Sequence, residues 1–288
     1  MKKITVLGAG GMAGHVVSSY LAETGKYRLQ NITHRLKLAP DWVVADAERQ
    51  DEISAALAAF GPDIVINCVG LLVKESEQNP GMAAYLNGYF PHFLARLGRE
   101  KGFRLLHLST DCVFSGARGS YTELDARDGK GFYAQSKAMG EVLNAADVTV
   151  RTSIIGPELK QGATGLFHWF FSAKGRVKGF DRAYWNGLTT LELAKCLEKM
   201  ISLGTSGLCH LVPPEKVSKY ELLKLIGEVW DRKEPEVLPD SEFSSDKTLV
   251  STRPDLDLGI PGYRRQLEEL KSWMERQPDR YPHYSRQI

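Results

Sequence analysis

A phenol and an ammonium group lie four residues apart at Tyr133 and Lys137, a spacing that places both side chains on one face of a helix. A phenol has an ordinary pKa of about 10, and a neighbouring lysine would stabilise its phenolate. Thr110 lies earlier in the chain, and its hydroxyl could donate a hydrogen bond to a carbonyl oxygen. These three residue types predict proton transfer to a carbonyl group during its reduction.

A glycine-rich turn near the start of the chain could hold the source of the hydride. Glycines at positions 8, 11 and 14 follow the apolar run Ile4–Leu7 and open a stretch with helical periodicity. Such a turn lets a pyrophosphate approach the backbone N–H groups at the start of a helix. The turn therefore predicts a dinucleotide site, with these candidate cofactor-binding residues: Gly8, Gly10, Gly11, Met12 and Gly14.

The next strand decides between the two common dinucleotides. An NAD site usually carries an acidic residue about 20 residues after the glycines. Residues 26–40 contain no Asp or Glu but include His34, Arg35 and Lys37. A guanidinium group can bind a 2′-phosphate with two hydrogen bonds, so NADPH is favoured and NADH is the alternative. Asp46 could accept from the adenine amino group, or it could simply end a strand.

Strands and helices alternate through the first half of the chain. The pattern predicts an α/β fold, a Rossmann doubly wound parallel sheet with a smaller C-terminal substrate-binding lobe. The Rossmann domain is expected at 1–155, with 186–212 returning to the sheet, and the lobe mainly at 156–288. Among the local predictions are helices at 83–101 and 132–146, and an irregular segment at 235–261.

The fold prediction separates Tyr133 from a second pair with the same spacing, Tyr220 and Lys224. Thr110 follows the predicted strand Leu105–Leu108, and active sites of open α/β sheets form at the carboxyl ends of strands. Tyr220 has no such hydroxyl before it. Tyr133 is therefore the candidate proton donor.

Composition excludes several other classes of protein. A net charge of +2 over 288 residues gives no reason to expect nucleic acid or an anionic membrane as the partner. The chain has neither an apolar run long enough to span a bilayer nor a signal-peptide pattern, so a cytoplasmic location is expected. Its four cysteines form no Cys-x-x-Cys pair and its histidines do not cluster, so reduced thiols and no metal site are predicted.

These residues together resemble the extended short-chain dehydrogenase/reductases, and within them the dTDP-4-dehydrorhamnose reductase group. The resemblance covers about the first 155 residues. It rests on the glycines, the run Pro62–Asn67, Asn87, the run Leu108–Gly116, the Tyr133/Lys137 pair and Arg151–Ser153.

The resemblance implies an NADPH-dependent reductase of a nucleotide-linked 4-keto-6-deoxy sugar in the biosynthesis of bacterial cell-surface polysaccharide. Thr110, Tyr133 and Lys137 would be the catalytic residues, with Tyr133 as proton donor. The substrate partner would be a nucleotide-diphosphate sugar, and the resemblance is compatible with either a monomer or a homodimer. Further implied cofactor-binding residues are Cys68, Val69, Gly70, Asn87, Ser109, Ile154 and the catalytic Tyr133 and Lys137, and implied substrate-binding residues are Asp111, Cys112, Trp185 and Arg253.

Two departures from the family pattern restrict what the resemblance implies. Cys112 replaces the usual tyrosine and also the glutamate of related 4,6-dehydratases, so dehydration is disfavoured. Val16 replaces a glutamate that some members use in a magnesium-bridged dimer, so no metal is carried over. A nucleotide-sugar epimerase of the same superfamily and a non-catalytic NADP-binding regulatory subunit are the alternative functions.

Overall fold

Seven short strands form one parallel sheet in the computed structural model, which describes residues 1–160 and 165–285. Strands and helices are numbered in the order in which they occur along the chain. The strands in the described part are β1 (Lys2–Leu7), β2 (Tyr27–Thr33), β3 (Val43–Val44), β4 (Ile64–Asn67), β5 (Arg104–Leu108), β6 (Val148–Arg151), β7 (Ile154–Ile155), β8 (Arg176–Trp185), β9 (Leu188–Thr189), β10 (Gly207–His210), β11 (Val217–Ser218) and β12 (Glu236–Asp246).

The main sheet has the strand order β3-β2-β1-β4-β5-β6-β10, and every neighbouring pair in it is parallel. The order reverses between β1 and β4, which is the switch point where open α/β sheets bind their ligands. Every residue of β4 is buried, as expected for an apolar strand that is covered on both faces. The predicted doubly wound parallel α/β sheet is confirmed.

Helices cover both faces of this sheet. α2 and α5 share an apolar cluster with Val65 and Leu105 on one face, whereas α1 and α8 pack with Ile4 and Val6 on the other. The helices of the described residues are α1 (Met12–Glu23), α2 (Gln50–Phe60), α3 (Val73–Gln78), α4 (Pro80–Ala83), α5 (Phe90–Lys101), α6 (Gly131–Met139), α7 (Leu166–Ser172), α8 (Thr190–Leu203), α9 (Lys219–Val229), α10 (Tyr263–Glu275) and α11 (Pro282–Ser285), with a π-helical turn at Ala84–Tyr89.

The second half of the chain adds a smaller sheet with the order β11-β8-β12. It also returns one strand, β10, to the main sheet, where Cys209 lies beside Val150 of β6. The apolar cluster that covers α1 continues without a break into α7, α9 and α10. Of the lobe predicted at 156–288, residues 161–164 and 286–288 lie outside the described residues. None of the helices described is both long and apolar enough to cross a bilayer.

The helix predicted at 132–146 is shorter in the structure, because α6 ends at Met139. A Cβ on Gly140 would overlap the carbonyl oxygen of Asn87, so the chain passes the π-helical turn at a distance that only glycine allows. The next residue, Glu141, is buried and pairs with Arg151 of β6. These long-range contacts override the local helical preference of residues 140–146.

Two other local predictions are also corrected. The segment at 235–261, predicted to be irregular, contains the eleven-residue strand β12. Most residues of this strand are exposed at the edge of the small sheet, so its sequence lacks an apolar alternation. The helix predicted at 83–101 is α5 preceded by the π-helical turn, which turns Asn87 into the protein interior.

Candidate active site

The turn between β1 and α1 brings the predicted glycines to the carboxyl edge of the main sheet, beside the switch point. Gly8 has a φ of +74°, a conformation that favours glycine, and a Cβ on Gly14 would overlap the carbonyl oxygen of Gly8. Gly11 is the exposed N-cap of α1, and no side chain caps the helix there. The N–H groups of Met12 and the residues after it are therefore available to an anion.

The loop after β4 lies against this turn. A Cβ on Gly8 would come within 3.0 Å of the backbone of Cys68, and the Cys68 N–H donates to Leu7 O at 3.0 Å. The Val69 N–H donates to the Asn67 side chain at 3.0 Å. Burial raises the pKa of the Cys68 thiol to about 12, so this cysteine stays protonated and contributes packing. Cys68 and Val69 thus reach the site by their backbone.

Asn87 connects that loop to the helix of the candidate proton donor. Its side-chain oxygen accepts from Leu71 N at 2.8 Å, and its amide donates to Leu71 O, Ser76 Oγ and Ser136 Oγ at 3.1–3.3 Å. A Cβ on Gly70 would lie 3.0 Å from the same oxygen. The amide group is thus fully used inside the protein, and Asn87 holds the loop and α6 in register.

The candidates for the adenosine end lie beyond the carboxyl ends of β2 and β3. His34 and Arg35 are exposed, and His34 Nε2 lies 3.7 Å from Asp46 Oδ2. Asp46 Oδ1 also accepts from the Glu48 N–H at 3.0 Å. The structure therefore brings His34 and Asp46 together, and Arg35 follows His34 in the chain.

Thr110 and Tyr133 meet at the carboxyl end of β5. Thr110 caps a short 3₁₀ turn at Asp111–Val113, accepting from Cys112 N at 3.1 Å and donating to Asp111 Oδ1 at 3.0 Å. Burial raises the pKa of the Tyr133 phenol above its ordinary value, and a hydrogen bond with the Thr110 hydroxyl opposes that shift. The phenol is therefore a protonated donor that contacts a hydroxyl group.

Lys137 lies one helical turn after Tyr133, as the spacing predicts, but its ammonium group is engaged elsewhere. Nζ donates to Leu108 O at 2.6 Å, at the end of β5. Burial lowers the pKa of Lys137 to about 8, against the opposing effects of Glu141 and Cys68. The expectation that Lys137 lowers the pKa of the phenol does not hold in this arrangement, because burial dominates the titration of Tyr133.

A buried ion pair joins the residue Glu141, which follows α6, to Arg151 at the end of β6. Arg151 Nε and Nη2 donate to the two carboxylate oxygens of Glu141 at 2.7 and 2.8 Å. The Ser109 hydroxyl donates to the same carboxylate at 2.8 Å, so its side chain faces this pair. Ile154, on the two-residue strand β7, pairs with Leu188 and is half-buried just beyond β6.

Two lysines from the second half of the chain approach the predicted substrate residues Asp111 and Cys112. Lys247 Nζ lies 3.6 Å from Cys112 Sγ. Burial raises the pKa of Asp111, and the charges of Lys219 and Lys247 oppose that shift. Burial lowers the pKa of Lys219 to about 8, and the charge of the nearby Asp111 carboxylate opposes this shift. Sequence reasoning missed both lysines, because nothing in their local pattern separates them from solvated ones.

The other two predicted substrate residues differ in position. Trp185 is buried, and its ring packs against the ring of Tyr263. Lys219 Nζ lies over the Trp185 ring, 4.7 Å from the ring centre, so Trp185 supports that lysine. Arg253 is not brought to the site. Its guanidinium group pairs with Asp255 and donates to Ser206 O and Leu208 O, along the open edge and near the amino end of β10.

Several known proteins are similar to the chain in sequence. A family model described as "RmlD substrate binding domain" matches residues 1–255. The chain is 34% identical over 276 residues to a protein of Haloferax volcanii named "Probable low-salt glycan biosynthesis reductase Agl14", covering 90% of this chain and 86% of that protein. It is 29% identical over 159 residues to dTDP-4-dehydrorhamnose reductase of Aggregatibacter actinomycetemcomitans, spanning 53% of this chain and about half, 51%, of that relative.

A solved structure supports the same assignment at the level of the fold. Bacillus anthracis dTDP-4-dehydrorhamnose reductase, crystallised in complex with NADP, superimposes with a TM-score of 0.80 at 21% identity, covering 95% of this chain and 99% of that one. The resemblance found in the glycine, Ser-Thr-Asp and Tyr/Lys motifs is thereby confirmed. The chain belongs to the RmlD substrate binding domain family.

Proposed function

We propose that this protein is an NADPH-dependent reductase of a nucleotide-linked 4-keto-6-deoxy sugar, similar to dTDP-4-dehydrorhamnose reductase. The observation that carries the proposal is the placement of the Thr110 hydroxyl beside the Tyr133 phenol at the carboxyl end of β5. This pair lies on the same edge of the sheet as the glycine turn. Relatives that are named reductases support the reaction class.

The residues at the switch point fit a dinucleotide. The glycine turn forms a cradle that side chains would fill, and the first N–H groups of α1 have no side-chain cap. These groups would hold the pyrophosphate, and Arg35 with His34 would hold a 2′-phosphate. NADPH, when bound, supplies a hydride. The NADP complex of the Bacillus anthracis protein supports this choice over NADH, which remains the alternative to be tested.

The side chains around β5 supply the proton. The Thr110 hydroxyl, which donates to Asp111, would turn its hydrogen to the C4 carbonyl oxygen of the sugar. As the hydride forms a C–H bond at C4, Tyr133 transfers its phenolic proton to the oxygen, and the product is an alcohol. The phenolate that remains recovers a proton from solvent, while Lys137, one helical turn away, holds Leu108 O at the end of β5. The raised pKa of Tyr133 keeps the donor protonated before the reaction.

The second half of the chain would bind the rest of the substrate. In this proposal residues 1–155 carry the cofactor and residues 156–288 mainly the nucleotide-diphosphate sugar. Lys219 and Lys247 are the cations placed to contact its anionic groups, since both face Asp111 beside Thr110. The biological role that follows is the supply of deoxysugars for bacterial cell-surface polysaccharide.

The test is a turnover assay with the reduced cofactor and a panel of nucleotide-linked 4-keto-6-deoxy sugars. We expect stoichiometric loss of NADPH absorbance, slower turnover with NADH, and a decrease in kcat of about 10²–10⁴-fold in Tyr133→Phe. The affinity for NADPH should change little in that variant, because it keeps the aromatic ring and loses only one hydroxyl group. As a control, Tyr220→Phe should retain full activity.

Other outcomes would assign one of the alternative functions. Interconversion of two sugars with no net consumption of NADPH would indicate an epimerase. Tight NADPH binding without turnover of any sugar would indicate a regulatory subunit. A full rate in Tyr133→Phe would contradict the proposed proton donor.

A further inference from the structure

Residues near the end of the described part of the chain lie along one face of α1, the helix that begins at the glycine turn. We define the C-terminal segment as residues 273–284. Its contacts on α1 fall at residues His15, Ser19 and Glu23, which are four residues apart and so share one face. The segment donates to these three in order: Tyr281 to His15, Arg280 to Ser19, and both Trp273 and Gln277 to Glu23.

The contact at His15 fixes the tautomer of a buried imidazole. Nδ1 lies 2.7 Å from Gly11 O, and a carbonyl oxygen can only accept, so Nδ1 carries the hydrogen. Nε2 then accepts from the Tyr281 hydroxyl at 2.8 Å. Burial lowers the pKa of His15 to about 4, so the ring stays neutral around neutral pH. Tyr281 is itself buried and stacks edge-on against the imidazole.

The Gly11 carbonyl belongs to the peptide unit that presents the first N–H group of α1. The peptide unit is planar and trans, so its C=O and N–H point in opposite directions. The His15 side chain and its backbone N–H, at 3.1 Å, both hold Gly11 O toward the helix. The Met12 N–H is thereby turned outward, toward the place proposed for the pyrophosphate. Gly11 has no side chain that could do this itself.

The same segment also contacts Glu158, a residue that follows β7. The Tyr284 hydroxyl accepts from the Glu158 N–H at 3.1 Å, and His283 Nε2 donates to Glu158 O at 2.9 Å. The Glu158 carboxylate accepts from the Gly165 N–H at 2.9 Å. A Cβ on Gly165 would come within 2.7 Å of Met12 Cε, so Gly165 packs against the first residue of α1.

We propose that the C-terminal segment is a positioning element for the cofactor, in which Tyr281 and His15 orient the Gly11–Met12 peptide toward the pyrophosphate. The inference rests on the proposed dinucleotide site. It assigns a role to residues outside the glycine motif and more than 250 positions away from it along the chain. Neither residue contacts the cofactor in this proposal. Their effect is to set the direction of an N–H group before binding, which lowers the cost of ordering it.

The test measures NADPH binding directly, without any sugar, by calorimetric titration of the full chain. Tyr281→Phe removes the hydroxyl group that donates to His15 and also contacts Arg280, and we expect its Kd for NADPH to rise about five- to tenfold. Tyr27→Phe is the matched control, because it also loses one hydroxyl hydrogen bond, of 2.9 Å to Glu198, at the amino end of β2. Its thermal stability should fall similarly while its Kd is unchanged.

A second measurement keeps the inference testable if Tyr281→Phe unfolds. A ¹⁵N–¹H spectrum of the wild-type protein should show the Nδ1-protonated tautomer for His15, and an Nε2-protonated ring would overturn the inference. An unchanged Kd in folded Tyr281→Phe, or an equal rise in Tyr27→Phe, would also overturn it. Failure of the wild-type protein to bind NADPH would instead overturn the cofactor proposal, and this inference with it.

Discussion

Residue identity explains why a phenol can serve as the proton donor at this site. Tyr133 is half-buried, and burial favours its neutral form. The Thr110 hydroxyl lies beside the phenol and partly opposes that effect. The sequence predicted all three catalytic candidates from type and spacing. It could not predict that Lys137 donates to Leu108 O, because that bond depends on how β5 and α6 pack.

Burial of Lys137 and Lys219 leads to a prediction about their titration. Desolvation disfavours the charged ammonium form, so both pKa values are lowered to about 8, below those of solvated lysines. Lysine-selective ¹³C or ¹⁵N NMR of the cofactor-free protein should therefore show two resonances that lose their charge as the pH rises through about 8. Lys137→Arg and Lys219→Arg should each remove one of them. Titration of every lysine above pH 10 would contradict this account.

Elements place these residues by contacts that are distant in sequence. The π-helical turn carries Asn87 into the interior, where its amide joins the loop after β4 to α6. α6 ends early because Gly140 passes the Asn87 carbonyl and Glu141 pairs with Arg151. Periodicity predicted the strands of the main sheet and most helices, but it could not predict this end or the exposed strand β12.

The close approach at Gly140 predicts opposite effects for two glycine substitutions. Gly140→Ala introduces a methyl group that overlaps Asn87 O, so we expect a loss of about 1–3 kcal/mol in the free energy of unfolding. Gly227→Ala, inside α9, meets no atom nearer than 3.7 Å and should gain about 0.5–1 kcal/mol. Urea denaturation measures both. A neutral or stabilising Gly140→Ala would show that the contact does not determine where α6 ends.

At the scale of the whole molecule, one continuous apolar cluster connects the cofactor-binding and the substrate-binding parts of the proposed site. The helices of the second half share their cluster with α1, and α9 begins at Lys219, next to the carboxyl end of β5. Sequence reasoning expected a basic residue near the substrate and placed Arg253 there. In the structure Lys219 and Lys247 lie near the predicted substrate residues instead, whereas Arg253 donates to backbone carbonyl groups at β10. Which basic side chains lie near the substrate site depends on contacts between residues distant in sequence, so the sequence alone could not identify them.

This arrangement predicts a separation of substrate binding from cofactor binding. Lys219→Met and Lys247→Met should each raise the KM for the nucleotide sugar about tenfold, as expected for loss of a charge-assisted contact, and leave the Kd for NADPH unchanged. Lys178→Met is the control, because this exposed lysine pairs with Asp240 in the small sheet. Equal KM values in all three variants would remove Lys219 and Lys247 from the substrate site.

The central claim, hydride delivery to C4 with a proton from Tyr133, is tested most directly by isotope transfer. The protein is incubated with NADPH deuterated at the transferable position of the nicotinamide and with a nucleotide-linked 4-keto-6-deoxy sugar. NMR of the product should show one deuterium at C4 for each NADPH oxidised, and Tyr133→Phe should slow its formation by about 10²–10⁴-fold. A product without deuterium at C4, or incorporation that persists undiminished in Tyr133→Phe, would contradict the account.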